Sequence, residues 1–338
     1  MIKAIGLFSG GLDSMLAIRL MQEQGLDIEV LHYIIGFEML HIERQVRHKA
    51  AEVDRAVIER QLGAAIRDID VSEEFLRVAL RPKHGYGAEM NPCIDCKIFM
   101  LRQAKAYMEA RQAQFIFTGE VVGQRPMSQQ SRTLKFIEEK SGLQGYLLRP
   151  LSAKILAPTI PEERGWVDRN RLLDISGRGR HAQIALARQY HFDYQQPAGG
   201  CLLNDPNFAR RLKDLLARKP EDAVTTADVQ MLKLGRHLRL SDALKIIVGR
   251  HEVDNEMLER YAAGRWTAAA RDVNGPFVVI DGEPTAEQRE LIARITVNYT
   301  KAKQAAQATV DFSRNGEHRA VTIAPDAQFD PNRWRLDA

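Results

Sequence analysis

The stretch Ser9-Gly10-Gly11-Leu12-Asp13-Ser14 follows the apolar run 2–8 and precedes an amphipathic stretch over residues 15–24. This order predicts a strand, a tight loop and a helix. Two adjacent glycines let the backbone adopt positive φ and approach a ligand closely. The start of the helix offers unpaired N–H groups and the positive end of its dipole, which together favour phosphate. Ser9 and Ser14 add hydroxyl donors, and Asp13 is placed to cap the helix or to approach a phosphate-bound magnesium ion.

The loop differs from the two commonest phosphate-binding motifs. It lacks the Gly-Lys-Ser/Thr of a Walker A sequence and the Gly-x-Gly-x-x-Gly of a dinucleotide-binding fold. An ordinary βα turn rich in small residues is the alternative, but the position of the six residues between a strand and a helix favours a phosphate site.

Length and composition limit the number of domains and the kinds of partner that the chain can have. At 338 residues the chain predicts two domains, and its 48 basic against 44 acidic residues permit a polyanionic partner without requiring one. No apolar run approaches the length needed to span a membrane. Because the first strand begins almost at Met1, without a secretory signal pattern, we expect a cytoplasmic protein with no membrane partner.

The three cysteines, Cys93, Cys96 and Cys201, are too few for a disulfide framework. A Cys-x-x-Cys spacing is typical of metal, cluster or redox chemistry. Three thiolates can hold an iron–sulfur cluster with one iron left open, or zinc with a fourth ligand such as His84, His181 or His191. Three independent buried thiols are the remaining interpretation. We expect Cys93 at the N-terminal end of a helix over Lys97–Arg111, which would lower its pKa.

Strand and helix patterns alternate over the first half of the chain. Strands are predicted over 28–34, 64–71 and 114–119, and helices over 40–62, 73–81 and 97–111. This alternation predicts an α/β fold with a parallel sheet whose ligand site lies at the carboxyl ends of the strands. Ser9–Ser14 and Thr118–Glu120 would both lie there.

Several motifs in residues 1–205 resemble a known family. The Ser9–Ser14 loop resembles that of the PP-loop ATP pyrophosphatases. Asn91-Pro92-Cys93-x-x-Cys96, Thr118-Gly119-Glu120-Val121, Leu148-Arg149-Pro150-Leu151 and Gly199-Gly200-Cys201 are similar to the PP-loop RNA-thiolating enzymes, in particular the 4-thiouridine synthetase-like proteins. The resemblance implies an adenine nucleotide α-hydrolase-like domain over 1–205.

The same resemblance implies an activity and a set of site residues. The activity is that of an ATP-dependent tRNA sulfurtransferase that adenylates a uridine carbonyl and replaces its oxygen with sulfur, forming 4-thiouridine. The sulfur donor would be free sulfide or a cysteine desulfurase. The implied nucleotide site, with ATP and Mg²⁺, comprises Ser9, Gly10, Gly11, Asp13, Ser14, Thr118 and Gly119. The implied catalytic residues are Cys93, Cys96, Cys201 and Asp13, and the three cysteines would hold a 4Fe-4S cluster.

Other interpretations stay open. Zinc is the less favoured metal. A cysteine persulfide forming 2-thiouridine is an alternative sulfur source, although no rhodanese-like cysteine loop follows Cys201. A PP-loop ligase or amidotransferase that adenylates a small molecule, and a non-catalytic RNA-binding protein with structural zinc, are the alternatives from other functional classes.

Residues 206–338 predict a smaller α+β domain. Helices are expected over 208–217, 227–234, 253–263 and 287–303, strands over 243–249 and 276–280, and a hairpin of 308–312 with 320–323 across Asn315-Gly316. The tail 324–338, with Trp334, is expected to pack back as a strap. Leu234-Gly235-Arg236 and Ile247-Val248-Gly249-Arg250 resemble the RNA-binding domain of NFACT proteins. Alternatively, this domain supports the catalytic domain or forms a homodimer.

Residues 128–188 are rich in cations, and we expect them to follow an RNA backbone, with a flexible segment over 176–181. A solvated charged face is the alternative. The cations are Arg132, Lys135, Lys140, Arg149, Lys154, Arg164, Arg169, Arg171, Arg178, Arg180 and Arg188.

Overall fold

The computed structural model describes residues 1–39, 53–194, 200–326 and 328–336. The chain forms two compact units, Met1–Asn204 and Asp205–Ala338.

The first unit is built on a parallel sheet. Its strands are β1 (Lys3–Leu7), β2 (Asp27–Ile34), β3 (Ile66–Asp70), β4 (Phe115–Thr118) and β5 (Leu147–Leu148). They lie in the order β3-β2-β1-β4-β5, and every neighbouring pair is parallel. The predicted α/β class is confirmed. Because the strand order reverses direction at β1, the crevice between the carboxyl ends of β1 and β4 is the point where such sheets bind ligands.

Helices cover both faces of this sheet. They are α1 (Leu12–Glu23), α2 (Arg55–Leu62), α3 (Ser72–Leu80), α4 (Cys93–Ala110), α5 (Ser131–Ser141), α6 (Ile160–Glu163) and α7 (His181–Gln189). Alternate strand residues face opposite sides, as the pleat requires. Ala4 and Val30 pack in the core on the side of α1 and α2, whereas Ile5 and Leu31 pack in the core on the side of α4.

Several predicted boundaries in the first unit change. Of the helix expected over 40–62, residues 55–62 are helical, while residues 40–52 lie outside the described residues. The helix expected from Lys97 begins at Cys93, because the Cys96 amide already donates to the Pro92 carbonyl at 2.8 Å. The sequence interpretation did not predict β5, α5, α6 or α7. In the segment 176–181, which was expected to be flexible, Ser176 forms a parallel bridge with Val122 and Gly177 N donates to Val122 O at 2.7 Å.

The second unit is an antiparallel sheet with helices. Its strands lie in the order β11-β10-β8-β9-β7-β6. They are β6 (Arg236–Ser241), β7 (Leu244–Val248), β8 (Trp266–Ala270), β9 (Val278–Asp281), β10 (Ala308–Arg314) and β11 (Glu317–Ile323). The helices are α8 (Pro206–Leu216), α9 (Thr226–Lys233), α10 (Glu252–Arg260) and α11 (Ala286–Asn298).

Local sequence signals explain most of this second unit. The hairpin forms as predicted, with Asn315 (φ 48°) and Gly316 (φ 84°) in the left-handed region that a tight two-residue turn requires. The long helix expected to Lys303 ends at Asn298, because the Thr300 side chain accepts from Ala302 N and starts a separate turn. Strands β6 and β8 were not predicted. The tail does pack back, since Arg335 pairs with Leu238 and Trp334 packs against the core.

Among the helices of the described ranges, none is both long and apolar enough to cross a membrane.

Candidate active site

The Ser9–Ser14 loop connects β1 to α1 and is tied together by its own last residue. Gly10 has a φ of 80°, which a side chain would disfavour, and Gly11 is the N-cap of α1. The Ser14 hydroxyl donates to Gly11 O at 2.7 Å and accepts from Ser9 N at 3.2 Å. One Ser14 hydroxyl therefore fixes both ends of the loop, while its glycine backbone stays open to a ligand.

In the Asp13 carboxylate, one oxygen accepts a hydrogen bond and the other has no hydrogen-bond partner. Its Oδ2 accepts from Gln124 Nε2 at 3.1 Å, whereas its Oδ1 is buried and has no hydrogen-bond partner. A buried acceptor without a donor is costly unless a ligand or cation satisfies it. This oxygen fits a hard cation such as Mg²⁺, which prefers carboxylate oxygen.

The end of β4 meets this loop at backbone level. Thr118 pairs with Leu7 across the two parallel strands, so both strands end together. A Cβ built on Gly119 would lie 2.5 Å from Asp13 O and from Ser14 N. The structure therefore brings Ser9–Ser14 and Thr118–Gly119 together at one edge of the sheet.

The segment that carries Cys201 is seated against two others. Cys201 pairs with Glu38 in an antiparallel bridge just beyond the carboxyl end of β2, and Leu202 N donates to Phe37 O at 2.9 Å. On its other side, Met90 N donates to Leu203 O at 3.2 Å. Cys201 is thereby brought to the loop that leads into Cys93, over more than a hundred residues of sequence.

Asn91 connects the cysteine segments through its side chain. Its Oδ1 accepts from the Cys93 thiol at 3.2 Å, and its Nδ2 donates to Asn204 Oδ1. The backbone N–H of Asn204 in turn donates to Cys201 O at 3.1 Å. Asn91 thus bridges the first and third cysteines.

The three cysteines are half-buried, and burial, together with neighbouring thiols, raises the pKa of Cys96 and of Cys201. Burial raises the pKa of Cys93, of Cys96 and of Cys201, the last to about 11. The other two thiols raise the pKa of Cys96 further, while the Lys97 ammonium opposes the shift. The prediction that the helix N-terminus lowers the Cys93 pKa is therefore wrong, because desolvation outweighs the helix dipole. Clustered buried thiols ionise readily only when a cation compensates their charge.

Within the part of the chain that the structure describes, no three or more His, Cys, Asp and Glu side chains are grouped to hold a metal ion. His84, a candidate zinc ligand, is instead paired through Nδ1 with Asp95 Oδ1 at 2.9 Å. His181 begins α7, and His191 follows it with a φ of 53°.

A buried ion-pair network joins the cysteine turn to the end of β4. Glu120 contacts Lys97 Nζ at 3.3 Å and Arg149 Nε at 3.2 Å, and Arg149 also contacts Glu138 at 2.9 Å. Burial alone would raise the pKa of Glu120, but these two cations keep it below its usual value. Lys97 immediately follows Cys96, and Glu120 immediately follows Gly119. The network therefore connects the thiols to the nucleotide loop.

Sequence reasoning missed the roles of Lys97, Gln124 and Glu38. The sequence could have indicated these roles through position: Lys97 directly follows Cys96, Gln124 comes soon after the Thr118–Val121 motif, and Glu38 comes soon after β2. It also misassigned Arg149, which is buried in ion pairs and does not face RNA. Of the other expected cations, Arg169 pairs with Glu162, whereas an exposed set remains: Arg132, Lys135, Lys140, Lys154, Arg164, Arg171, Arg178 and Arg188.

Two family models match separate parts of the chain. Residues 2–154 match the ThiI family, described as thiamine biosynthesis protein, and residues 235–335 match the RNA-binding domain of NFACT proteins. Both predicted resemblances are confirmed. No curated protein matches the chain significantly.

Solved structures show only distant likeness. The C-terminal part of the fibronectin/fibrinogen-binding protein from Streptococcus suis is 13% identical, with a TM-score of 0.27, over 72% of this chain and 94% of that one. A predicted tRNA methyltransferase subunit from Methanocaldococcus jannaschii is 15% identical, with a TM-score of 0.30, over 44% and 68%. A 4-thiouridine synthetase in complex with RNA and ATP is 19% identical, with a TM-score of 0.36, over 68% of this chain and 52% of that one. TM-scores this low add nothing to what the family models indicate.

Proposed function

We propose that this protein, which joins a ThiI-type segment to an NFACT-type RNA-binding segment, is an ATP-dependent tRNA sulfurtransferase that forms 4-thiouridine. One relationship carries the proposal. Gly119 touches Asp13 of the nucleotide loop, and the next residue, Glu120, is ion-paired with Lys97 beside Cys96. A nucleotide-activating loop and a thiol group therefore lie side by side.

The nucleotide loop supplies the activating half of the reaction. The glycine backbone of Ser9–Ser14 and the start of α1 would hold the ATP phosphates, and Asp13 Oδ1, which has no hydrogen-bond partner, would bind the accompanying Mg²⁺. The uridine carbonyl oxygen attacks the α-phosphate, a P–O bond forms, and pyrophosphate leaves. The oxygen is then part of a good leaving group, AMP.

The cysteines supply the sulfur-transfer half. Cys93, Cys96 and Cys201 would hold a 4Fe-4S cluster, which when bound would supply a binding site for sulfide. The sulfide attacks the activated carbon and AMP leaves with the original oxygen. In the protein without metal the thiols are protonated, so their raised pKa values require proton release on loading.

The second unit supplies the RNA contact. Its residues 235–335 match an RNA-binding domain, and this match favours a polynucleotide substrate over a small acid or amide. If this unit contacts the phosphate backbone of tRNA without reading its sequence, tRNA binding should weaken as the salt concentration rises.

The decisive test is nucleoside mass spectrometry after incubation of the purified, anaerobically reconstituted protein with a tRNA transcript, ATP, Mg²⁺ and sulfide. We expect 4-thiouridine together with one pyrophosphate per sulfur incorporated. Variants Cys93→Ala, Cys96→Ala and Cys201→Ala should lose iron and sulfur transfer but keep ATP binding. Formation of 2-thiouridine would mean that the oxygen at position 2 of the uridine, and not that at position 4, is replaced. Pyrophosphate release without RNA, and with no thionucleoside, would instead establish a small-molecule ligase.

A further inference from the structure

The segment 121–129, called the crossing loop below, comes soon after β4 and is closed by its own main chain. Gly123 has a φ of 76°, and its N donates to Gln129 O at 2.7 Å. Within the loop, Gln129 N donates to Arg125 O at 3.2 Å. The first bond closes the loop, and the second fixes the backbone of Arg125. Main-chain bonds therefore hold residue 125 in a defined position.

The crossing loop contacts both halves of the proposed site. Gln124 Nε2 donates to Asp13 Oδ2 of the nucleotide loop at 3.1 Å. Further along, Met127 lies against Gly87, because a Cβ built on Gly87 would come within 2.0 Å of Met127 Sδ. The same Cβ would lie 2.5 Å from Asn91 Oδ1, the oxygen that accepts the thiol of the first cysteine. The crossing loop therefore extends from the nucleotide loop to the turn that leads into the cysteines.

Arg125 lies between these two contacts in the chain, and its side chain is exposed. Among the residues that the structure describes, none forms a hydrogen bond or an ion pair with its guanidinium. Its charge nevertheless acts on two thiols: burial raises the pKa of Cys93 and of Cys201, and the Arg125 cation opposes both shifts. Lys97 also opposes the shift of Cys93, but it is paired with Glu120. Of these two cations, Arg125 is the one available to a ligand.

Two carboxylates belong to the segments around Arg125. Glu38 adds to the burial-driven rise in the pKa of Cys201, so its charge lies near the same thiol. Glu89 is exposed in the turn that precedes the first cysteine. Within the described part of the chain, neither of them forms an ion pair with Arg125. Because the region is of mixed charge, Arg125 offers one localised point for an anion and not a broad basic surface.

The proposed reaction needs an anion-binding point between its two halves. Attack of the uridine oxygen on ATP releases pyrophosphate and the N3 proton of the base, and leaves a monoanionic phosphodiester that joins the base to AMP. Hydrosulfide then adds to the base carbon, the C–O bond breaks with its electron pair going to AMP, and the hydrosulfide proton moves to N3. The phosphate gains negative charge as the diester becomes a dianionic monoester. A guanidinium at this phosphate stabilises the transition state more than the ground state.

We propose that Arg125 is a catalytic residue that binds the α-phosphate of ATP and, after its transfer, the phosphate of the adenylated uridine. The inference rests on the proposed function. The substrate carbon faces the nucleotide loop through its oxygen and the thiols through the incoming sulfur, so the phosphate lies between them, on the path that the crossing loop follows. A guanidinium donates two parallel hydrogen bonds to a phosphate, a geometry that an ammonium group does not provide.

The test uses the anaerobically reconstituted full chain with an unmodified tRNA transcript, ATP, Mg²⁺ and sulfide. Arg125→Gln removes the charge, and Arg125→Lys keeps the charge without the paired donors. Arg67→Gln, which removes an exposed arginine charge on β3, is the control. We expect Arg125→Gln to slow single-turnover 4-thiouridine formation about 100-fold, the typical effect of removing one donor to a developing oxyanion. Arg125→Lys should slow it less, and Arg67→Gln should match the wild type.

Binding measurements on the same variants separate this role from a structural one. We expect iron content and tRNA affinity to stay at the wild-type level in Arg125→Gln. ATP affinity should fall far less than the rate, because the contact strengthens as charge develops on the phosphate. An unchanged rate in Arg125→Gln would overturn the assignment and leave the proposed function standing.

A second measurement identifies the phosphate. In ATP that carries sulfur in place of one non-bridging α-oxygen, the hydrogen bond to that oxygen is weakened. We expect one of the two diastereomers to slow wild-type thiolation and to have no further effect in Arg125→Gln, where the contact is already lost. Losses that multiply in the folded variant with both diastereomers would overturn the assignment. If Arg125→Gln fails to fold, Arg125→Lys serves for the same comparison. A wild-type protein that thiolates no RNA would overturn the proposed function and this inference with it.

Discussion

Gly119 and Asp13 are in backbone contact, and the space between them admits no side chain. A Cβ on Gly119 would come within 2.5 Å of both the carbonyl carbon and the carbonyl oxygen of Asp13. The pairing of Leu7 with Thr118 fixes the two strand ends at the same level, so neither segment can retreat without breaking the sheet. The position of the nucleotide loop is therefore set by the residue after β4.

Replacing Gly119 with alanine should displace this loop. Overpacking costs about 1–3 kcal/mol of unfolding free energy, and we expect ATP affinity to fall about tenfold or more. Gly179→Ala is the matched control, because its nearest contact would be His181 Cδ2 at an ordinary 3.9 Å. Isothermal titration with ATP and Mg²⁺ measures the effect. Equal affinities for the two variants would show that the loop tolerates the displacement.

Glu120→Gln should destabilise the first unit, because it leaves the Lys97 charge without its buried partner. Breaking a buried pair in this way costs about 3 kcal/mol. Since the pKa of Glu120 lies below its usual 4.5 in the folded protein, this contribution is complete above pH 4.5 and is lost as the pH falls further. The wild-type and Glu120→Gln unfolding curves should therefore converge in acid. Glu138→Gln, which removes only one contact of Arg149, should cost less.

The sequence was sufficient for those parts of the fold that rest on local signals. The Gly10-Gly11 turn, the strand alternation and the Asn315-Gly316 hairpin each follow from backbone preferences that act within a few residues. The juxtaposition of Ser9–Ser14 with Thr118–Gly119 followed from the rule that parallel strands end at one edge.

Long-range electrostatics and burial were beyond sequence reasoning. Arg149 appeared as one more cation in a basic stretch, yet it is neutralised in the interior by Glu120 and Glu138. The rise in the Cys93 pKa comes from burial, and no local sequence pattern encodes burial in the folded chain. Helix α5 was not predicted because only Leu134 and Ile137 supply its buried apolar face, which is too short a pattern to indicate a helix among the surrounding cations.

The second unit should lose stability in mild acid through His237. Burial, followed by the nearby Arg211 and Lys245 cations, holds the pKa of His237 well below 6.5. The unfolded chain therefore binds a proton below pH 6.5 that the folded unit rejects, and unfolding free energy should fall by up to about 1.4 kcal/mol per pH unit there. Hydrogen exchange of the β6 and β7 amides between pH 7 and 5, corrected for intrinsic exchange rates, measures this. His237→Gln should flatten the dependence, and parallel wild-type and variant profiles would contradict the assignment.

If the proposed cluster forms, Asn91 should control how firmly the three cysteines hold its iron. Its amide joins the Cys93 thiol to Asn204, next to the Cys201 segment, so Asn91→Ala separates two of the three proposed ligands without removing a thiol. Loss of a group that orients a metal ligand typically lowers metal affinity about 10- to 100-fold. We expect a matching drop in iron retained after chelator challenge and in sulfur transfer, with ATP affinity unchanged because Asp13 and Gly119 are untouched. Asn170→Ala, at an exposed position, is the control. Full iron retention in a folded Asn91→Ala protein would mean that the backbone contacts of Leu202 and Leu203 alone position Cys201.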